Sequence, residues 1–190
     1  LYFPLIKFPS ESEKRKLSSL LREFSIGKKK FQVKYKGPRN LVEALDGVLQ
    51  PHELAMLPHS YDMIGDIVVI ELPPSLSHYT HKIGEAVLKV HKHIKTVLAK
   101  KDIIKSPYRV GTYEVIAGEN KTETIHREYG CRFVVDVTKA FFSPRLSTEH
   151  NRIASLVKPN EIILDMFCGI GPFSILIAHR VKTVSYTHLT

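Results

Sequence analysis

The pattern of apolar and polar positions predicts short strands and helices that follow one another along the whole chain. Two-residue alternation and short apolar runs predict strands at 1–8, 31–33, 66–72, 113–116, 124–126, 132–137 and 161–166. Apolar residues at helical spacing predict helices at 12–24, 41–57, 83–97, 146–156 and 173–179. Pro51 interrupts the second of these helices, and 181–184 has the pattern of one more strand. This order of elements indicates an α/β protein.

The chain carries more basic than acidic residues, with 28 Lys and Arg against 19 Asp and Glu and a formal net charge of +9. Such a surplus favours an anionic partner, because phosphates are attracted to Lys and Arg and release counterions on contact. The basic residues are concentrated at 28–39 and on the polar side of 82–101. A basic surface that binds no partner is the alternative.

The composition, with 43% hydrophobic and 25% charged residues, is that of an ordinary globular protein. Its two cysteines, Cys131 and Cys168, form neither a disulfide framework nor a metal motif. We therefore expect a reducing compartment, the cytoplasm, and no bound metal. No apolar run approaches the roughly 18 residues of a membrane span, so we expect no membrane partner.

A strand that delivers two glycines to a helix start is the first candidate for chemistry. The apolar run before Asp165 leads through Gly169 and Gly171 into the predicted helix at 173–179. Glycines let the backbone approach a ligand closely, and a helix start offers free N–H groups to an anionic group. A third glycine of the dinucleotide-binding motif is absent, and an acid ends the strand. The pattern resembles the first motif of class I methyltransferases, which predicts the start of a Rossmann-like domain that binds S-adenosyl-L-methionine; a tight turn without a ligand is the alternative.

Further blocks of sequence carry a more specific resemblance. Tyr108-Arg109-Val110 is followed by 115–122, then by 141–152 and by the glycine motif at 165–173. In this order and spacing, across roughly residues 58–183, the chain resembles the archaeal Trm5 type of tRNA (guanine-37-N1) methyltransferase. The resemblance implies a monomeric enzyme that methylates N1 of guanine 37, beside the anticodon of tRNA, with S-adenosyl-L-methionine.

The resemblance also implies roles for individual residues. Glu149 matches the base that removes the N1 proton, Arg109 matches the cation that stabilises charge on O6, and Arg145 supports the base or a phosphate. Phe141 stands at a position that is often Tyr, so a role that needs a hydroxyl group there is in doubt. The residues expected to bind the cofactor are Phe141, Asp165, Phe167, Gly169, Gly171 and Pro172.

Each of these residues also has an ordinary structural interpretation. Glu149 is a favourable partner for a helix dipole, Arg109 and Arg145 are ordinary ion-pair arginines, and His126 is more plausibly structural than catalytic. Two rival functions stay open. One is the aminocarboxypropyl transferase of wybutosine synthesis, a sister family that typically has Phe-Ser-x-Gly-Asn at 142–146 and Tyr at position 172. The other is a tRNA-binding module without catalysis.

We expect three domains: the remainder of a small tRNA-binding domain at 1–36, an α+β domain at 37–143, and a truncated Rossmann-like domain at 144–190. The last segment, 185–190, lacks the acid expected after the second strand and resembles foreign sequence. With few strands to cover its sheet, 144–190 is expected to be poorly stabilised. We also expect no measurable methyl transfer by the 190-residue chain alone.

Overall fold

The computed structural model describes residues 7–21, 23–28, 37–101 and 112–181, and the backbone of 185–188. The chain forms two compact units, 1–35 and 36–190. The first contains helix α1 (Glu11–Leu20), which begins with a capping box in which Ser10 and Glu13 satisfy each other's backbone N–H groups. The helix predicted at 12–24 is therefore confirmed, although it ends earlier. The strand predicted at 31–33 and most of the one at 1–8 lie outside the described residues.

The first part of the second unit is a four-stranded sheet with helices on one side. The elements are α2 (Leu41–Leu45), α3 (Pro51–Leu54), β1 (Asp62–Ile64), β2 (Ile67–Ile70), α4 (Thr80–Val90), β3 (Thr96–Lys100) and β4 (Tyr113–Gly118). The strands lie in the order β1-β2-β3-β4; β2 and β3 are parallel, and the other two pairs are antiparallel. A 3-10 helix (Pro74–Tyr79) and α4 connect β2 to β3.

The single long helix predicted at 83–97 is wrong in its second half. Helix α4 ends at Val90, where the N–H of His91 donates to the carbonyl of Val87, and β3 follows after a short turn. Strand β3 is central and buried on both faces, so it shows no alternation. Ile94 and Val97 lie in the same core as the apolar face of α4, which is why they match the helical spacing. Strand β1 was not predicted either.

The second part of this unit follows the predicted order of elements. Strands β5 (Glu123–Glu128) and β6 (Cys131–Asp136) form a hairpin. A 3-10 turn (Pro144–Leu146) leads into α5 (Ser147–Leu156), followed by β7 (Ile162–Asp165), α6 (Pro172–Arg180) and β8 (Ser185–His188). Strands β7 and β8 are parallel, and α6 lies between them in the chain. The described second strand thus lies within the segment that the sequence marks as foreign, and 182–184 is outside the described residues.

Two apolar cores lie on opposite faces of the four-stranded sheet. One face packs against α2 and α4, with Val68, Ile70 and Val97 pointing into that core. The other face contributes Ile67 and Leu98 to a core shared with the β5–β6 hairpin, α5 and α6. The second core fixes the two helices that bear candidate site residues, so it positions the site.

Candidate functional site

Glu149 lies in the first turn of α5 and is held there by Arg152. The guanidinium group donates from Nε to Oε2 and from Nη2 to Oε1 of Glu149, each at 2.7 Å. These hydrogen bonds lower the pKa of Glu149 against a smaller effect of burial, so the carboxylate is ionised at neutral pH. An ionised carboxylate can accept a proton from a substrate once Arg152 releases it. The structure therefore shows Glu149 as an ionised carboxylate engaged in a surface ion pair with Arg152.

A cavity of about 390 Å³ opens beside the turn that precedes α5. Its wall includes Phe141, Phe142 and Arg145 together with the two tyrosines Tyr61 and Tyr113. Arg145 donates from Nε to Asp62 Oδ1 at 2.7 Å, which ties this turn to β1. Lys100 and Glu71 also line the cavity, and the ammonium group of Lys100 lies 3.7 Å from the carboxylate of Glu71. The cavity thus combines aromatic surface with both signs of charge.

The glycine loop between β7 and α6 is ordered by Asp165. Its Oδ1 accepts from the N–H of Phe167 at 3.3 Å, and its Oδ2 accepts from Ser174 Oγ at 2.6 Å. Gly169 and Gly171 both have positive φ, which a residue with a side chain rarely adopts. Apart from its chain neighbours, no described residue has an atom within 4 Å of where a Cβ on Gly169 would stand, so the loop is open on that side. The ring of Phe167 is 90% exposed beside it.

The start of α5 and the start of α6 lie side by side. The ring of His150, next to Glu149 in the chain, meets the ring of Phe173 edge-on at 4.7 Å between centroids. Phe173 directly follows Pro172, the first residue of α6. The structure therefore brings the proposed base and the glycine loop to adjacent helix ends. Arg109 lies outside the described residues, in the connection between β3 and β4.

Sequence reasoning missed three polar residues around this site: Asp62, Glu128 and the ring of His150. Nothing in the sequence marks Glu128, because in the structure Thr124 and Glu128 are buried on β5 while the apolar Ile125 is exposed. That is the reverse of the alternation expected of a strand on an apolar core. Asp62 lies in a strand that the pattern did not predict, and nothing in the sequence connects it with Arg145.

In the part of the chain that the structure describes, no three His, Cys, Asp or Glu side chains are placed to hold a metal ion. Within the same residues, no helix has the length and apolar character needed to cross a membrane.

Comparison with known protein families shows which proteins this chain resembles. Residues 124–187 match a family model described as the TRM5/TYW2 methyltransferase domain, and residues 41–122 match one described as the TYW2 N-terminal domain. By these two matches the chain is similar to the TRM5/TYW2 family, and residues 124–187 are similar to its methyltransferase domain. The resemblance found in the sequence is thereby confirmed, as is the fold class of a mixed α/β protein that leads into a methyltransferase domain.

Individual members of the TRM5/TYW2 family show how much of the fold is shared. The chain is 48% identical over 135 residues to the tRNA (guanine(37)-N(1))-methyltransferase Trm5b of Pyrococcus abyssi. These matched residues make up 70% of this chain and 41% of that protein. A structure of aTrm5 in complex with tRNALeu matches 95% of this chain and 54% of that one, with a TM-score of 0.70 and 33% identity. A structure of P. horikoshii TYW2 in complex with MeSAdo matches 79% of this chain and 53% of that one, with a TM-score of 0.62 and 35% identity. The chain spans about two fifths of the length of the Pyrococcus abyssi relative.

Proposed function

We propose that this protein transfers a methyl group from S-adenosyl-L-methionine to N1 of guanine 37 in tRNA. The observation that carries the proposal is the contact between His150 and Phe173, which puts the turn bearing Glu149 beside the glycine loop. A base and a site for the methyl donor are what this reaction needs close together. The names of the Pyrococcus abyssi relative and of the tRNA complex support the substrate.

The residues of the glycine loop fit S-adenosyl-L-methionine. When bound, the cofactor supplies an electrophilic methyl group. The open side of Gly169 admits a ligand close to the backbone, and the exposed ring of Phe167 offers it an apolar surface. Gly171 and Pro172 start α6, whose first N–H groups face the loop. Asp165 orders the loop through its two hydrogen bonds, and Phe141 offers an exposed ring near the cavity.

Glu149 is proposed to take the N1 proton of guanine as N1 gains the methyl group. Guanine N1 carries a proton at neutral pH, so its lone pair becomes available only when a base removes that proton. Glu149 is ionised and lies in the first turn of α5. Binding of the substrate would have to displace Arg152, and the released guanidinium group is then free to pair with a phosphate.

The cavity is proposed to receive the target base. A volume of about 390 Å³ is ample for a nucleobase, and its tyrosine and phenylalanine rings offer stacking partners. Arg145 is engaged with Asp62, so its role is to hold the cavity wall while one guanidinium edge remains exposed. Arg109 is proposed to stabilise the charge on O6, in line with the sequence resemblance.

Exposed lysines on α4 and the turn after it are proposed to contact tRNA phosphates. Lys82, Lys89 and Lys92 are exposed, as is His93 beside them. Contacts of this kind position an RNA without reading its sequence, and they weaken as salt rises. The basic stretch at 28–39 is proposed to add further contacts, although most of it lies outside the described residues.

Methyl transfer by the full-length product of the gene tests the proposal. The full-length protein is incubated with tRNA transcripts that carry G37 or A37, and with cofactor labelled in the methyl group. We expect label in the G37 transcript only. Glu149→Gln should lower the rate by about 10² to 10⁴, the usual contribution of a general base. Glu123→Gln, at an exposed position on β5, is the control and should leave the rate unchanged.

Aminocarboxypropyl transfer is the second candidate, because one matching model is described as a TYW2 domain and one similar structure is of TYW2. A parallel assay with cofactor labelled in its carboxyl carbon separates the two reactions. If the carboxyl label appears in the tRNA, the protein is an aminocarboxypropyl transferase and the proposal of methyl transfer is wrong. If neither label appears in the tRNA although the tRNA still binds, the protein is a tRNA-binding module without catalysis.

A further inference from the structure

A carboxylate and an imidazole are buried together behind the proposed site. Glu128, the last residue of β5, is 6% exposed, and His150 on α5 is 2% exposed. His150 Nδ1 and Glu128 Oε1 lie 2.8 Å apart, which is a hydrogen bond between β5 and α5. Burying a carboxylate in an apolar core is costly unless it is paired. A pair retained at such a place calls for a reason beyond stability.

Glu128 depends on His150 for its hydrogen bonding. Its second oxygen, Oε2, is buried and accepts no hydrogen bond from the described residues. The ring of His126 faces this oxygen without a hydrogen bond, with its Nε2 3.9 Å from Oε2. His126 Nδ1 accepts from the N–H of Gly65 at 3.2 Å, so a neutral His126 carries its proton on Nε2. Burial lowers the pKa of His126 more than Glu128 raises it, which favours that neutral ring.

The pair also touches both halves of the proposed site. The ring of His150 contacts Phe173 at the start of α6, and its centroid lies 6.4 Å from that of Phe142. Phe142 in turn lines the cavity. Since His150 neighbours Glu149 in the same helical turn, any rotation of α5 that breaks the bond to Glu128 also redirects Glu149.

We infer that Glu128 and His150 are positioning residues for the proposed methyl transfer. The hydrogen bond from α5 to the fixed end of β5 sets the rotation of α5, and thereby aims Glu149 at the base while Phe173 keeps α6 alongside. Both side chains are buried, so the role proposed for them acts through Glu149 and needs no contact with the substrate. The inference rests on the proposed function, and a displacement of about 1 Å in such a group can cost on the order of 10²-fold in rate.

Two substitutions at Glu128 separate positioning from general packing. Glu128→Met keeps the length of the side chain but removes the acceptor, whereas Glu128→Gln keeps an acceptor for His150. In steady-state methyl transfer to the G37 transcript, Glu128→Met should lower kcat by about tenfold or more, with KM for tRNA and cofactor within about twofold. Glu128→Gln should keep kcat within about threefold of wild type. Glu123→Met, exposed on the same strand, is the matched control.

Hydrogen exchange on the 190-residue chain measures the stability of α5 without any need for methyl transfer. In Glu128→Met, amides of α5 should exchange about tenfold faster while those of α4 keep their rates. If that variant does not fold, His150→Phe provides the same comparison, because it keeps a ring against Phe173 but loses the hydrogen bond to Glu128. A full-length wild type that transfers no methyl group sinks the proposed function, and exchange in α5 of the 190-residue chain then decides alone whether the pair orients this helix.

The positioning role is overturned by any of three results. The first is a Glu128→Met variant with wild-type kcat and wild-type exchange in α5. The second is a rise in KM at unchanged kcat, which would mean that the pair binds substrate. The third is a Glu128→Gln variant as impaired as Glu128→Met, which would mean that the hydrogen bond is not what matters.

Discussion

At the scale of single residues, the proposed base is controlled by its neighbour Arg152. The guanidinium group lowers the pKa of Glu149 chiefly through hydrogen bonds to the carboxylate. Without it, the charged form loses that stabilisation, so the pKa of Glu149 should rise towards the ordinary value for Glu. We therefore expect the Glu149 carboxyl of Arg152→Gln to titrate at a higher pH than in wild type, as followed by ¹³C NMR. Arg132→Gln, exposed on β6, should leave the midpoint unchanged; an equal midpoint in Arg152→Gln would show that the ion pair does not form in solution.

At the scale of elements, two glycines with positive φ differ in what surrounds them. At Gly118, which ends β4, an added Cβ would collide with the carbonyl oxygen of Lys95, whereas at Gly47 it would meet no atom of a described residue within 4 Å apart from its chain neighbours. Gly47→Ala should therefore cost about 1 kcal/mol of unfolding free energy, from backbone strain alone. Gly118→Ala adds the collision and should cost about 3 kcal/mol. Urea unfolding of both variants measures the difference, and similar costs would mean that the β3–β4 edge can shift to admit a methyl group.

The same scale shows where sequence reasoning succeeds and where it fails. The hairpin of β5 and β6, helix α5 and the strand–glycine–helix unit are local patterns, and each was predicted close to its position. Strand β3 was missed because a strand buried on both faces shows no alternation of apolar and polar residues, and its apolar residues continued the helical spacing of α4 by coincidence. The cavity and the Glu128–His150 pair join residues far apart in the chain, so they follow from the packing of elements and from no local pattern. The glycine loop needed no such packing to be recognised.

At the scale of the whole molecule, two strands of four residues and similar composition have opposite surroundings. Strand β2 is almost wholly buried between the two cores, whereas Ile162 and Leu164 of β7 are 85% and 58% exposed. A parallel strand normally has both faces covered, so β7 contributes less burial to hold itself in place. We expect the amides of β7 to exchange with solvent about 10² times faster than those of β2, with α6 intermediate because Leu176 and Ile177 lie in the second core. Hydrogen exchange read by mass spectrometry of the wild-type chain measures this. Equal protection of β2 and β7 would mean that the β7–β8 pairing stabilises residues 144–190 more than burial indicates, against the expectation that this segment is poorly stabilised.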